Sequence, residues 1–202
     1  MLVDSSVARS FAVLGWTRHL LLLTGGTILL AEGVHGAHPD DPSELRGIIR
    51  ALERQAHEAG LGSGEGGRAL AAVQGLEEML ALDPGKLVVL VPEAEELQLA
   101  IRLQSRRPED REWRRSLGAR ARRLDTGESA SIAIATRRSL PFASDDEDAL
   151  RRWRSITGTD GLRTRDLLWQ CVRRGLVDRD EAESAYLLLQ TDDLHNLGGP
   201  AW

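Results

Sequence analysis

The chain has 202 residues, of which 42% are hydrophobic and 28% charged, enough apolar mass for one core and too even a balance for wholesale disorder. A formal net charge of −5 excludes a chain that coats nucleic acid non-specifically, while leaving room for local contact with RNA. The single Cys171 excludes an internal disulfide or a thiolate metal site, and without a basic leader or a bilayer-length apolar run the expectation is a cytoplasmic protein with no membrane segment.

In chain order, Met1 to Val3 is a short apolar run ending at an acid, as in a buried parallel strand. A helix follows from Ser5 or Ser6 to about Leu14, stopped by Gly15, and Thr17 caps a second short helix holding Leu20 to Leu23. The Gly25-Gly26 turn leads to a strand over Thr27 to Leu30. Asp41-Pro42-Ser43-Glu44 is a helix start, with Asp at the N-cap and Pro at the first turn, and the helix reaches about Ala59. Gly60 to Gly67 reads as flexible, before a helix from Arg68 to Leu82. Asp83-Pro84-Gly85 turns into a strand over Lys86 to Val91, and an Arg-rich helical stretch fills Glu93 to Arg123. Asp125-Thr126-Gly127-Glu128 starts another helix, to about Arg138. Leu140 to Ala143 is a strand ending at Ser144-Asp145-Asp146, followed by a short helix with Leu150 and Trp153 and a brief strand around Ile156. Two helices, Leu162 to Arg174 and Asp180 to Leu189, are hinged at Gly175 and leave a polar tail, 191–202. Strands alternating with helices predict an α/β fold with a short, mostly parallel sheet flanked by helices. It is read as one domain over 1–190, with an enlarged helical insertion at about 46–123.

Ligands of parallel α/β sheets sit beyond the carboxyl ends of the strands. Asp4 falls at one such end, Asp145 with Asp146 at another, and Glu128 begins the helix feeding the latter strand. Acids gathered at one sheet edge repel and desolvate one another, so the grouping needs a cation. Carboxylates without a His or Cys cluster suit Mg²⁺ or Mn²⁺ and not zinc.

Those residues carry a family resemblance. Leu2-Val3-Asp4-Ser5-Ser6 resembles the opening strand of PIN domains, Leu124-Asp125-Thr126-Gly127-Glu128 the entry to their acid-bearing helix, and Phe142-Ala143-Ser144-Asp145-Asp146 their strand-end acid motif. Thr157-Gly158-Thr159 fits the same subgroup. The resemblance implies a three-layer fold and a metal-dependent endoribonuclease acting on an RNA substrate, and allows the toxin of a toxin–antitoxin pair, with an antitoxin partner. It implies Mg²⁺ or Mn²⁺ ligation by Asp4, Glu128 and Asp145, with Ser6 and Asp146 as accessory groups and Glu44, or failing that Glu32, as a further acid. The alternative is a PIN-like module that binds RNA or protein and has lost catalysis. Apolar faces on the middle helices suit either a homodimer or simple core packing.

Each site residue has a plainer reading. Asp4 and Ser6 also suit the cap of the first helix, Glu128 and Glu44 the third position of capping boxes opened by Asp125 and Asp41, and Asp145 and Asp146 a turn. The arginines from Arg102 to Arg123, including Arg114, Arg115, Arg122 and Arg123 as RNA contacts, are either a phosphate-gripping surface or a solvated helical face. Trp113 among them either stacks on a base or belongs to the core. Only Lys86 among the 26 basic residues is a lysine, as genome composition alone also produces. The five histidines have no metal-ligand spacing, and Thr24-Gly25-Gly26-Thr27 lacks the Gly-Lys-Ser/Thr of a phosphate loop.

Overall fold

A computed structural model describes residues 1–35, 44–60, 62–117 and 123–191. The expected cap at Asp41 to Ser43, Arg120, Arg122, and the tail beyond Thr191 lie outside them. Four parallel strands make the sheet: β1 (Leu2–Val3), β2 (Ile28–Ala31), β3 (Leu87–Leu90) and β4 (Phe142–Ala143), in the order β3-β2-β1-β4. Leu2 stands opposite Leu29 on one side and Phe142 on the other, and Ile28 opposite Leu87. The sequence therefore steps outward from β1 to β2 to β3 and then returns to the opposite side of β1. Right-handed crossovers then put the helices after β1 and before β4 on opposite faces, and the reversal at β1/β4 is a topological switch point.

The β1-to-β2 connection holds α1 (Ser5–Val13) and α2 (Thr17–Leu23). Between β2 and β3 lie α3 (Glu32–His35), α4 (Glu44–Ala59) and α5 (Gly64–Leu80). Between β3 and β4 come α6 (Ala94–Gln104), α7 (Pro108–Ser116) and α8 (Thr126–Arg137). After β4 the chain forms α9 (Glu147–Thr157), α10 (Thr164–Arg173) and α11 (Arg179–Thr191). Helix α8 runs across β1, β2 and β4 with residues 129–135 all buried. Its mixture of Ala, Ser and Ile is what a helix enclosed on all sides requires. Helix α1 packs on α5, and Leu2, Val3, Phe11, Leu30, Ile132 and Phe142 form the centre of one continuous core. Among the described residues no helix is long and apolar enough to cross a membrane.

Several elements differ from the sequence expectation, each for a physical reason. Helix α5 begins inside the segment expected to be flexible, because the Ser63 hydroxyl accepts the Gly66 amide at 2.9 Å. A Cβ at Gly66 would lie 2.3 Å from the Gly60 carbonyl oxygen, so glycine here permits close helix contact in place of looseness. The Arg-rich stretch is two helices, broken ahead of Pro108, which occupies the first turn of α7. Ile156 lies in α9, and the strand-like pairing expected there is instead a bridge from Ala143 to Leu162. Within the span read as an insertion, β3 pairs with β2 and α5 packs on α1.

Candidate acidic site at the switch point

Both strands of the switch point end in acids. Asp4 follows β1, and its amide donates to the Ala143 carbonyl at 2.9 Å, which locks the end of β1 to that of β4. Its side chain is buried, 2% exposed. The Ser144 hydroxyl donates to Asp4 Oδ2 at 2.8 Å and that of Ser6 reaches the same oxygen at 3.4 Å. Ser6 Oγ in turn accepts the Asp145 amide at 2.9 Å, so one hydroxyl ties the two acid-bearing strand ends together. Asp4 Oδ1 is buried without a protein partner. An unpaired buried acceptor costs about 1–3 kcal/mol, and it needs a proton, a cation or a ligand.

Glu44 and Glu128 approach from helix N-termini. Glu44 opens α4, and its Oε1 is the second buried carboxylate oxygen of the site without a partner. Glu128 lies in the first turn of α8, where its Oε2 accepts the Asp125 amide at 3.1 Å while Asp125 Oδ1 accepts the Glu128 amide at 2.8 Å. The capping box expected there is thus formed, which commits one Glu128 oxygen. Gly127 makes room for Glu44: a Cβ on it would fall 1.8 Å from Glu44 Oε1.

Burial raises all three acids, and the charge of Asp125 adds to each. Burial pushes Asp4 up to about 6, against hydrogen bonds from Ser144, Ser5 and Ser6 and with help from the charge of Asp125. Glu44 is pushed up to about 9 by burial first and then by the charge of Asp4, against a hydrogen bond from the Ser5 hydroxyl, with Asp125 adding its charge and a side-chain hydrogen bond. Glu128 is pushed up to about 8 by burial, then by Asp125, Asp146 and Asp4. Without a cation, protons therefore remain on this cluster at neutral pH.

Asp145 and Asp146 divide differently. Asp145 Oδ1 accepts the Thr164 amide at 2.8 Å, and its Oδ2 takes the Thr164 hydroxyl at 2.6 Å and that of Ser10 at 3.5 Å. Burial raises its pKa against those hydrogen bonds, but both oxygens are engaged in pinning the start of α10 to the end of β4. Asp146 caps α9 by accepting the Ala149 amide at 2.7 Å, its own amide donates to the Ser144 hydroxyl oxygen at 3.1 Å, and its charge acts on Glu128. Asp4, Glu44 and Glu128 thus share one electrostatic neighbourhood with Asp125 and Asp146, while Asp145 is bonded to the start of α10. Glu32 starts α3.

Sequence reading missed Asp125 as a charge in the cluster, Ser144 as the hydroxyl shared by Asp4 and Asp146, Gly127 as the gap for Glu44, and the anchors Ser10 and Thr164. Gly127 between Thr126 and Glu128 was the one readable signal, since glycine in the first turn of a helix is a cost that needs a reason. The arginines separate as well. Arg114 is buried at 1% exposure and donates from Nη1 to the Arg102 carbonyl at 2.7 Å, whereas Arg115 and Arg123 are exposed.

Among the described residues no three His, Cys, Asp or Glu side chains converge, as they stand, in a group that could hold a metal ion. The donor set has the chemistry of hard-cation ligands without that convergence. It consists of carboxylates alone, two of their oxygens are buried and unpartnered, and the protons they retain are what a cation displaces. No family model, curated protein or solved structure matches the chain.

Proposed function

We propose that the chain is a PIN-like, metal-dependent endoribonuclease that hydrolyses RNA phosphodiester bonds at the β1/β4 switch point. The observation that carries this reading is the pair of buried, unpartnered oxygens, Asp4 Oδ1 and Glu44 Oε1, beside a third acid of raised pKa, Glu128. Asp4, Glu44 and Glu128 would hold Mg²⁺ or Mn²⁺, with Asp146 within reach of the same charge cluster. A bound ion supplies positive charge against the scissile phosphate and acidifies an attacking water. The chain's own groups do the rest. Ser144 and Ser6 fix the Asp4 carboxylate, and the capping box commits one Glu128 oxygen and orients the other. Asp145 acts by positioning, since it holds α10 against the floor of the site. In this reading the toxin role of a toxin–antitoxin pair is an extension that requires a dedicated antitoxin.

The test is cleavage of mixed single-stranded RNAs in Mn²⁺, Mg²⁺ and EDTA by wild type, Asp4→Asn and Glu44→Gln. Metal-dependent cutting lost in both variants supports the reading. Equal cutting by wild type and variants exposes a contaminant and overturns it. The lack of three convergent ligands favours one second reading, a PIN-like module that binds RNA without cutting it. That module holds RNA in EDTA and shows no metal-induced stabilisation.

A further inference from the structure

Helices α6 and α8 run antiparallel. At one end Glu96, in the first turn of α6, takes Arg138 Nε at 2.6 Å just past the end of α8. At the other, Gln104 ends α6 with Oε1 3.5 Å from Thr126 Oγ1 at the start of α8. The chain therefore leaves α6 beside the very turn that carries Asp125 and Glu128, and it enters α7 through Arg106 and Arg107. An open cleft of about 730 Å³ lies along α7, lined by Arg106, Pro108, Arg111, Glu112, Arg115 and Ser116.

The arginines of this region fall into two sets. Arg102 bonds Asp110 at 3.3 Å and its guanidinium lies 4.0 Å over the Trp113 ring, while Arg114 is buried. Both are used in holding α7 to α6. Arg106, Arg111 and Arg115 are exposed, and no described carboxylate pairs with any of them. Arg111 and Arg115 are one helical turn apart on a single face, about 6 Å along the axis. Three guanidiniums with no described carboxylate partner, against the single carboxylate of Glu112, leave a cationic cleft on a chain whose net charge is −5. Such a cleft attracts a polyanion that the acids alone repel.

We propose that this α7 cleft is the backbone-binding track for single-stranded RNA, with Arg106, Arg111 and Arg115 gripping consecutive phosphates and feeding the strand to the acids at the start of α8. The assignment rests on the ribonuclease reading for its substrate class. Bidentate guanidinium–phosphate contacts with no base-edge partner give binding that depends on salt and not on sequence.

The experiment is fluorescence-anisotropy binding of a labelled 12-nucleotide single-stranded RNA in EDTA, where nothing is cut, across a salt series. Wild type is compared with Arg106→Gln/Arg111→Gln/Arg115→Gln and with the charge-matched Arg50→Gln/Arg54→Gln/Arg68→Gln on α4 and α5. The cleft variant is expected to bind at least about tenfold more weakly and to lose about 2 from the log–log salt slope, at about 0.7 per phosphate. The charge-matched control is expected to change far less. Unchanged affinity and slope in the cleft variant, equal losses in both variants, or no binding by wild type overturns the proposal. Binding in EDTA is independent of cutting, so a wild type that binds through the cleft and never cuts sinks the nuclease reading and keeps the track. A wild type that cuts while the cleft variant binds normally does the reverse.

Discussion

Glu44 Oε1 occupies the space that any side chain at Gly127 would fill, since a Cβ there would lie 1.8 Å away. This juxtaposition sets the start of α4 on the start of α8 and places Glu44 and Glu128 within the electrostatic influence of Asp4. It also makes Gly127→Ala an informative change. The clashing group is the tip of a flexible side chain, so the stability cost is at most about 1–3 kcal/mol, as for a small overpacking. Glu44 is pushed out of the site, so Gly127→Ala is expected to abolish both Mn²⁺-induced stabilisation and RNA cutting. Thermal melts with and without Mn²⁺ check this, and a variant that keeps the metal response contradicts it.

The raised acids make metal-free stability fall with pH. Asp4, Glu44 and Glu128 keep their protons in the folded chain up to about 6, 9 and 8, well above the ordinary values of 3.8, 4.5 and 4.5 that the unfolded chain retains. The folded state thus binds more protons than the unfolded one between those limits, and stability declines as pH rises through them. In EDTA, the melting temperature is expected to drop between pH 5 and pH 9. Glu44→Gln is expected to match wild type near pH 5 and exceed it by several degrees at pH 9. A profile that is flat in both proteins refutes the electrostatic account.

Asp145 and Asp146 are expected to separate in their effects. Asp145→Ala strips the partners from the Thr164 amide and hydroxyl, and should cost about 1–3 kcal/mol, a fall of several degrees in melting temperature. Asp146→Asn keeps an acceptor for the Ala149 amide and removes only charge. It should leave stability near wild type while weakening Mn²⁺ binding. Denaturant titrations with a parallel Mn²⁺ titration distinguish the two, and the opposite pattern would restore Asp145 as the metal-facing acid.

Much of this arrangement was legible in the sequence, because acids that end parallel strands can only collect at one edge of the sheet. Asp4 and Asp146 are of that kind, and Glu128 opens the helix that leads into β4. The partition between Asp145 and Asp146 was not legible, since it depends on Thr164, nineteen residues on, whose amide and hydroxyl both take Asp145. Nor was the start of α5, because Gly64-Glu65-Gly66-Gly67 has loop composition and becomes helical through the Ser63 cap and the tight approach of Gly66 to Gly60. The burial of Arg114 was hidden for a related reason. A guanidinium enters a core only when a carbonyl waits for it, and the Arg102 carbonyl is supplied by a different helix. The break before Pro108 was readable from the proline alone.

The most direct test of the central claim is the melting temperature of the full chain at pH 7.5 in EDTA and in millimolar Mn²⁺, for wild type, Asp4→Asn and Glu44→Gln. If the unpartnered oxygens of Asp4 and Glu44 are cation ligands, Mn²⁺ raises the wild-type melting temperature by several degrees, as binding at about a hundred times Kd, worth about 2.7 kcal/mol, requires. Both variants then lose that rise, and neither is less stable than wild type in EDTA. A wild type that does not respond to Mn²⁺, or variants that respond as fully as wild type, contradicts the account.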